Sequence, residues 1–127
     1  MLDDLIKYRL QQAENTIKEV EFQIEHNFYQ IAINRIYYGM FYGLLALALK
    51  KEFRTSKHNQ LIGWFNKEFV KTGKTQLKFG KMLHKAYEDR SDGDYGVYVE
   101  FEKEELILKL EDMKEFIIEI NRLIVIE

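Results

Sequence analysis

Hydrophobic positions in the first segment recur in steps of four and three. Ile6, Leu10, Ala13, Ile17, Val20 and Ile24 form one stripe, and charged residues fill the gaps. That spacing predicts an amphipathic helix over about Leu2–Glu25, broken at His26-Asn27. The second segment, about Phe28–Glu52, reads differently. No charged residue occurs in the fourteen positions from Ile36 to Leu49. The uncharged run is shorter than the ~20 apolar residues a spanning helix needs, and Arg35 stands at its head. It predicts a central helix buried on most sides. Gly39 and Gly43 share a face and permit close helix approach, within the chain or across a dimer.

Ser56 is the expected N-cap of a third helix over about Lys57–Lys71. Its inward face is Leu61, Ile62, Phe65 and Phe69, and Thr72-Gly73 ends it. A fourth helix is predicted from Thr75 to Glu88 or Arg90, with Phe79, Leu83 and Tyr87 on one face. Asp92-Gly93-Asp94-Tyr95-Gly96 reads as a loop, and Val97-Tyr98-Val99 as a linker. The last segment, Lys103–Ile126, repeats the first pattern with Leu106, Leu110, Met113, Ile117, Ile120 and Ile124. Glu100, Glu102, Glu104 and Glu105 gather at its start, where a helix dipole favours acids; a functional carboxylate cluster is the other reading. The predicted fold is all-α: one domain over residues 1–127, an antiparallel up-and-down bundle of four long helices with room for a short fifth.

The 127 residues include no cysteine and no proline. The first absence excludes disulfides, thiolate metal sites and cysteine nucleophiles, and the second permits long helices. Hydrophobic residues at 46% and charged residues at 31% are a soluble, globular balance. The start, Met-Leu-Asp-Asp, has neither the basic region nor the apolar core of a signal peptide. A cytoplasmic location without membrane association is therefore expected. Net charge is −2, yet residues 50–85 carry ten Lys/Arg and two Glu, a local +8, so the remainder carries −10. Such a block suits nucleic acid, a nucleotide or an acidic protein surface.

His26, His58 and His84 share no metal-ligand spacing, and HExxH, P-loop, GxGxxG and GxSxG motifs are missing. Neither a metal nor a cofactor is expected. His58 falls in the first turn of the third helix, whose positive end favours a neutral imidazole. It shares the inward face of Leu61 and Phe65, so it either fixes the helix entry or offers a reactive nitrogen. Arg35 shares a face with Tyr38 and Tyr42. It can anchor a phosphate or carboxylate there, or pair with an acidic loop residue. Arg90 follows Leu83 and Tyr87, and it either pairs with Asp94 or forms an anion site. Lys74, Lys78, Lys81 and Lys85 are expected on one face of the fourth helix. They read as a solvated stripe or as an electrostatic footprint for phosphates.

Three strings resemble the HEPN domain family. Asn34-Arg35-Ile36-Tyr37-Tyr38-Gly39-Met40-Phe41-Tyr42 looks like its arginine–tyrosine–tyrosine signature. Ser56-Lys57-His58, with Phe65 and Glu68-Phe69-Val70-Lys71-Thr72-Gly73, is similar to its middle section. Arg90-Ser91-Asp92-Gly93-Asp94-Tyr95 resembles its arginine…aspartate–tyrosine element. The resemblance runs from about Phe28 to Arg122. It implies a helical bundle, usually a homodimer, acting in prokaryotic toxin–antitoxin or defence systems. It also implies a small nucleotidyltransferase as a common partner and, in several relatives, metal-independent ribonuclease activity at a dimer-interface cleft. The ribonuclease signature is an Arg and a His separated by four to six residues. After Arg90 those positions hold Tyr95, Gly96 and Val97.

Without that histidine, the leading expectation is a dimeric binding module for RNA or a nucleotide, or for a nucleotidyltransferase. Its expected ligand-binding residues are Arg35, Tyr38, His58, Arg90, Asp94 and Tyr95. The alternatives are an endoribonuclease toxin using Arg90 with His58 or Tyr95 as acid and base, and a structural dimer without ligand. Self-association is expected through Tyr37, Tyr38, Phe41, Tyr42 and the Gly39/Gly43 face.

Overall fold

In the computed structural model, residues 2–94 and 100–126 are described, residues 93 and 94 by their backbone alone. Five α-helices follow in order: α1 (Leu2–Glu25), α2 (Tyr29–Lys50), α3 (His58–Phe65), α4 (Leu77–Asp94) and α5 (Lys103–Val125). Four are long and α3 has eight residues. No strand occurs among the described residues.

α2 is the centre of the bundle. It packs most extensively on α1, then on α5 and α4. Ala32, Ile36, Met40, Leu44 and Leu47 are buried along it, and so are Ile33, Tyr37, Phe41 and Ala48 on neighbouring sides. By length and composition α2 could cross a membrane, but two thirds of its most apolar stretch is buried inside the bundle. α1 contributes Ile6, Ala13, Val20 and Ile24 to the core, and α5 contributes Leu106, Leu110, Met113, Ile117 and Ile120. Full burial of such a Leu or Ile is worth about 1.5–3 kcal/mol.

The close approach at Gly39 lies within the chain. A Cβ there would meet Met113 Cε at 2.0 Å and Thr16 Cγ2 at 3.2 Å. α1 and α5 therefore cover the glycine face. Tyr37 and Phe41 are buried as well, so most of the surface expected to drive self-association is spent inside one protomer.

Both turns around α2 use the same stop. Asn27 takes a left-handed φ of 64°, and the amides of Asn27 and Phe28 bond back to Ile24 and Gln23. Glu52 takes φ 60°, with the amides of Glu52 and Phe53 on Leu49 and Ala48. This six-residue cap satisfies the last carbonyls of each helix. Asparagine tolerates that conformation well, whereas glutamate does not.

Three boundaries depart from the sequence expectation. The N-cap of α3 is Lys57, without a side-chain bond, and not Ser56. The amide of Lys57 is instead taken by the Thr55 hydroxyl. The third helix ends as α-helix at Phe65 and widens into a π-helical turn over Asn66–Val70, where the Lys71 amide reaches the Asn66 carbonyl. The left-handed Gly73 follows. Finally, α4 begins at Leu77 and runs to Asp94, so Asp92-Gly93-Asp94 is helical and not a loop. The expected loop residues Tyr95 and Gly96 and the Val97-Tyr98-Val99 linker lie outside the described residues. At the start of α5 the acids form a capping box between Glu102 and Glu105, which supports the structural account of that cluster.

Candidate functional site

α2 carries Arg35, Tyr37, Tyr38, Phe41 and Tyr42 within about two turns. Because residues four apart stack on one face, Tyr38 and Tyr42 flank the Arg35 side chain. Its guanidinium carbon lies 5.6 Å from the Tyr38 ring centre and 5.8 Å from that of Tyr42. Arg35 also donates from Nη2 to the Tyr42 hydroxyl at 3.4 Å. Its acidic neighbour is Glu19, 3.9 Å away on α1 and not on a loop.

α4 delivers the second arginine to the same ring. Arg90 donates from Nη2 to the Tyr38 hydroxyl at 3.0 Å. Its guanidinium lies 5.3 Å from the Tyr38 ring centre and 5.7 Å from that of Tyr37. Two cations thus share the Tyr38 ring, where each is attracted to the electron-rich face.

The first residue of α3 supplies the imidazole. His58 is half-buried and stacks on Phe41, with ring centres 4.2 Å apart and planes 11° apart. The Tyr38 ring meets it edge-on at 5.8 Å. Its Nδ1 lies 2.6 Å from the Tyr37 hydroxyl. Burial, and then the Arg90 charge, lower the His58 pKa below that of a free histidine. Burial pushes the Tyr37 phenol far above its usual range, and Arg90 opposes this.

Arg35, His58 and Arg90 therefore converge on the Tyr38 ring. Asp94 closes α4 by its backbone, and Tyr95 lies outside the described residues. Tyr37 was the residue missed as part of this cluster. It sits about 100° round the helix from Tyr38, on the inward side, so the face shared by Arg35, Tyr38 and Tyr42 excludes it. The available signal was His58 itself, since an inward imidazole needs a polar partner.

The lysine stripe is less open than its spacing suggests. Lys74 precedes α4 and lies 5.6 Å from the Phe69 ring centre. Lys78 pairs with Glu115 of α5. Lys85 pairs at 3.3 Å with Asp89, a buried carboxylate that Lys109 also holds, at 2.8 Å. Lys81 is exposed and makes no ion pair among the described residues. Acids supplied by α4 and α5 thus offset part of the local +8. No group of three or more His, Asp or Glu among the described residues could hold a metal ion.

A sequence model of the HEPN domain matches residues 6–123. The chain belongs to the HEPN family. Its relatives point the same way. A UPF0332 protein of Thermotoga maritima is 39% identical over 102 residues, 80% of this HEPN chain and 77% of that protein. A Methanocaldococcus jannaschii protein named as a candidate toxin is 36% identical over 96 residues, 76% of this chain. The match spans 65% of that relative, a little under two thirds of its length. A UPF0332 protein of Archaeoglobus fulgidus is 26% identical over 116 residues, 90% of each chain. This HEPN bundle thus has kin named as candidate toxins, and the tyrosine of its arginine–tyrosine string, Tyr38, is the residue of α2 that Arg90 meets.

Proposed function

We propose that this HEPN protein is a binding module of a toxin–antitoxin or defence system. It takes the phosphate of an RNA or nucleotide between Arg35 and Arg90, with His58 and Tyr38 beside it. Asp94 and Tyr95 belong to this reading from the sequence alone, since the Asp94 side chain and Tyr95 lie outside the described residues. The observation that carries it is the pair of guanidinium groups on one tyrosine ring. Like charges gathered beside a common ring are well placed to meet an anion, and guanidinium groups match phosphate oxygens geometrically. Lys81 adds long-range attraction, which raises affinity without specifying sequence.

The module works as a homodimer whose partner is a nucleotidyltransferase encoded nearby. Kinship with candidate toxins supports the pairing. Exposed Phe22, Phe28 and Ile31, clustered in sequence near the α1–α2 turn, offer apolar surface for self-association in place of the covered glycine face. Sedimentation showing a monomer at tens of micromolar would remove the dimer. The neighbouring reading frame tests the partner.

A second reading is a metal-independent endoribonuclease. What favours it is that His58 lies against the tyrosines that Arg90 covers, although no histidine follows Arg90 within six residues. One experiment separates the readings. Purified protein is incubated with tRNA and mRNA in the presence of chelator, and retention of the same RNAs is measured in parallel. Retention without cleavage, lost in Arg90→Ala, supports the binding module. Cleavage that Arg90→Ala abolishes supports the nuclease. Intact retention with only a lower melting temperature in Arg90→Ala leaves the arginine a structural role.

A further inference from the structure

Tyr37 is fully buried, and its hydroxyl lies 2.6 Å from Nδ1 of His58. Two proton placements fit that distance. In the first, the phenol donates to Nδ1 and the imidazole proton sits on Nε2. In the second, Nδ1–H donates to the phenol oxygen, and the phenol proton needs another acceptor. Among the described residues Tyr37 has no hydrogen-bond partner besides His58. The second placement leaves a buried O–H unsatisfied, which folded proteins avoid. Ionising the phenol offers no escape, because burial holds it protonated.

We infer that Tyr37 locks His58 in the tautomer carrying its proton on Nε2, so that His58 offers a phosphate oxygen bound beside Arg90 a donor and not a base. The Phe41 stack and the Tyr38 edge contact hold the ring plane that this requires. Nε2 has no hydrogen-bond partner among the described residues, and the half-buried ring keeps part of its edge open. Burial and Arg90 also disfavour the charged imidazolium, so the ring is neutral near pH 7 with a single N–H. A general base would need the lone pair on Nε2. Freeing it means moving the proton to Nδ1 and stranding the Tyr37 hydroxyl. Tyr37 is therefore a positioning residue, and His58 a binding one.

His26 provides an internal comparison. Its Nδ1 lies 2.9 Å from the Phe22 carbonyl oxygen, which can only accept. It is therefore biased to the opposite tautomer, with the proton on Nδ1.

The phosphate role rests on the reading of the arginine–tyrosine cluster as an anion site, whereas the tautomer does not. Long-range nitrogen–proton NMR correlation on the uniformly nitrogen-15-labelled full chain at pH 8 reads both. The expected spectrum has an unprotonated-type Nδ1 and a protonated-type Nε2 for His58, and the reverse bias for His26. Tyr37→Phe, which keeps the ring, shifts His58 toward an averaged pattern. A protonated-type Nδ1 in wild-type His58 overturns the inference, and that spectrum decides whether or not the variant folds. Inorganic phosphate and then a 5′-phosphorylated RNA oligonucleotide are titrated in. Movement of the His58 Nε2 signal while His26 stays fixed supports the donor role. An unmoved His58 signal, with the expected tautomer in place, overturns the anion site and leaves the Tyr37 lock standing.

Discussion

The Tyr37 hydroxyl and Nδ1 of His58, 21 residues apart in sequence, share a 2.6 Å hydrogen bond that joins the centre of α2 to the first residue of α3. The bond connects the core to the cluster around Arg90, so His58 belongs to both.

Its pH dependence has a definite sign. The folded-state pKa of His58 lies below the free value of 6.5. Between the two, the unfolded chain binds more protons, so stability rises with pH. The contribution is complete above about pH 6.5 and is lost as pH falls toward the folded-state value. Urea midpoints measured from pH 7.5 to pH 5 should fall more steeply for the wild type than for His58→Asn. Parallel curves would remove His58 as a titrating element.

Arg90 should not be replaceable by lysine. Its planar fork reaches the Tyr38 hydroxyl while covering two rings, which a lone ammonium cannot match. Arg90→Lys should weaken retention of RNA or nucleotide by at least about tenfold, ~1.4 kcal/mol. Fluorescence anisotropy with a labelled oligonucleotide measures it. Unchanged affinity would take Arg90 out of the site.

The lysines divide by their partners. Lys109 holds the buried Asp89 carboxylate at 2.8 Å. Removing it in Lys109→Met should cost about 1.5–3 kcal/mol, because a charge in a buried setting loses a hydrogen bond. Lys81→Gln should change stability by less than about 0.5 kcal/mol. It should lower the slope of log affinity against log salt by about 1 if Lys81 meets a phosphate. Denaturant titration and salt-dependent anisotropy distinguish the two lysines.

Glu52 is an expensive cap. It occupies a left-handed φ of 60° at the C-terminal stop of α2, where a Cβ is disfavoured. Glu52→Gly should stabilise the fold by about 0.5–1 kcal/mol. A lower urea midpoint in that variant would show that the glutamate side chain has a compensating role.

The helices were legible because helix formation is read from short-range repeats. The four-three spacing of Ile6 to Ile24 and of Leu106 to Ile124 placed α1 and α5 within one residue of their observed ends. The charge-free run marked α2 as the core. Boundaries set by capping were less legible. Ser56 looked like a cap, yet Thr55 takes that region's free amide, and glycine did not keep α4 from running on to Asp94. Among the clustered residues, the contact of Arg35 with Tyr38 was readable from helical spacing on α2 alone. His58 and Arg90 could be nominated, but not brought together.

The sequence by itself determined the all-α fold, the central helix and the residue types able to meet a phosphate, since each depends on neighbours a few positions away. Only the tertiary structure decided which groups pair. It set Arg90 on Tyr38 across 52 residues, turned Tyr37 inward to His58, packed Gly39 under Met113, and answered Lys78 and Lys109 with Glu115 and Asp89. Partner choice of this kind follows from how helices cross and which buried polar groups must be satisfied, and no spacing along one helix encodes it.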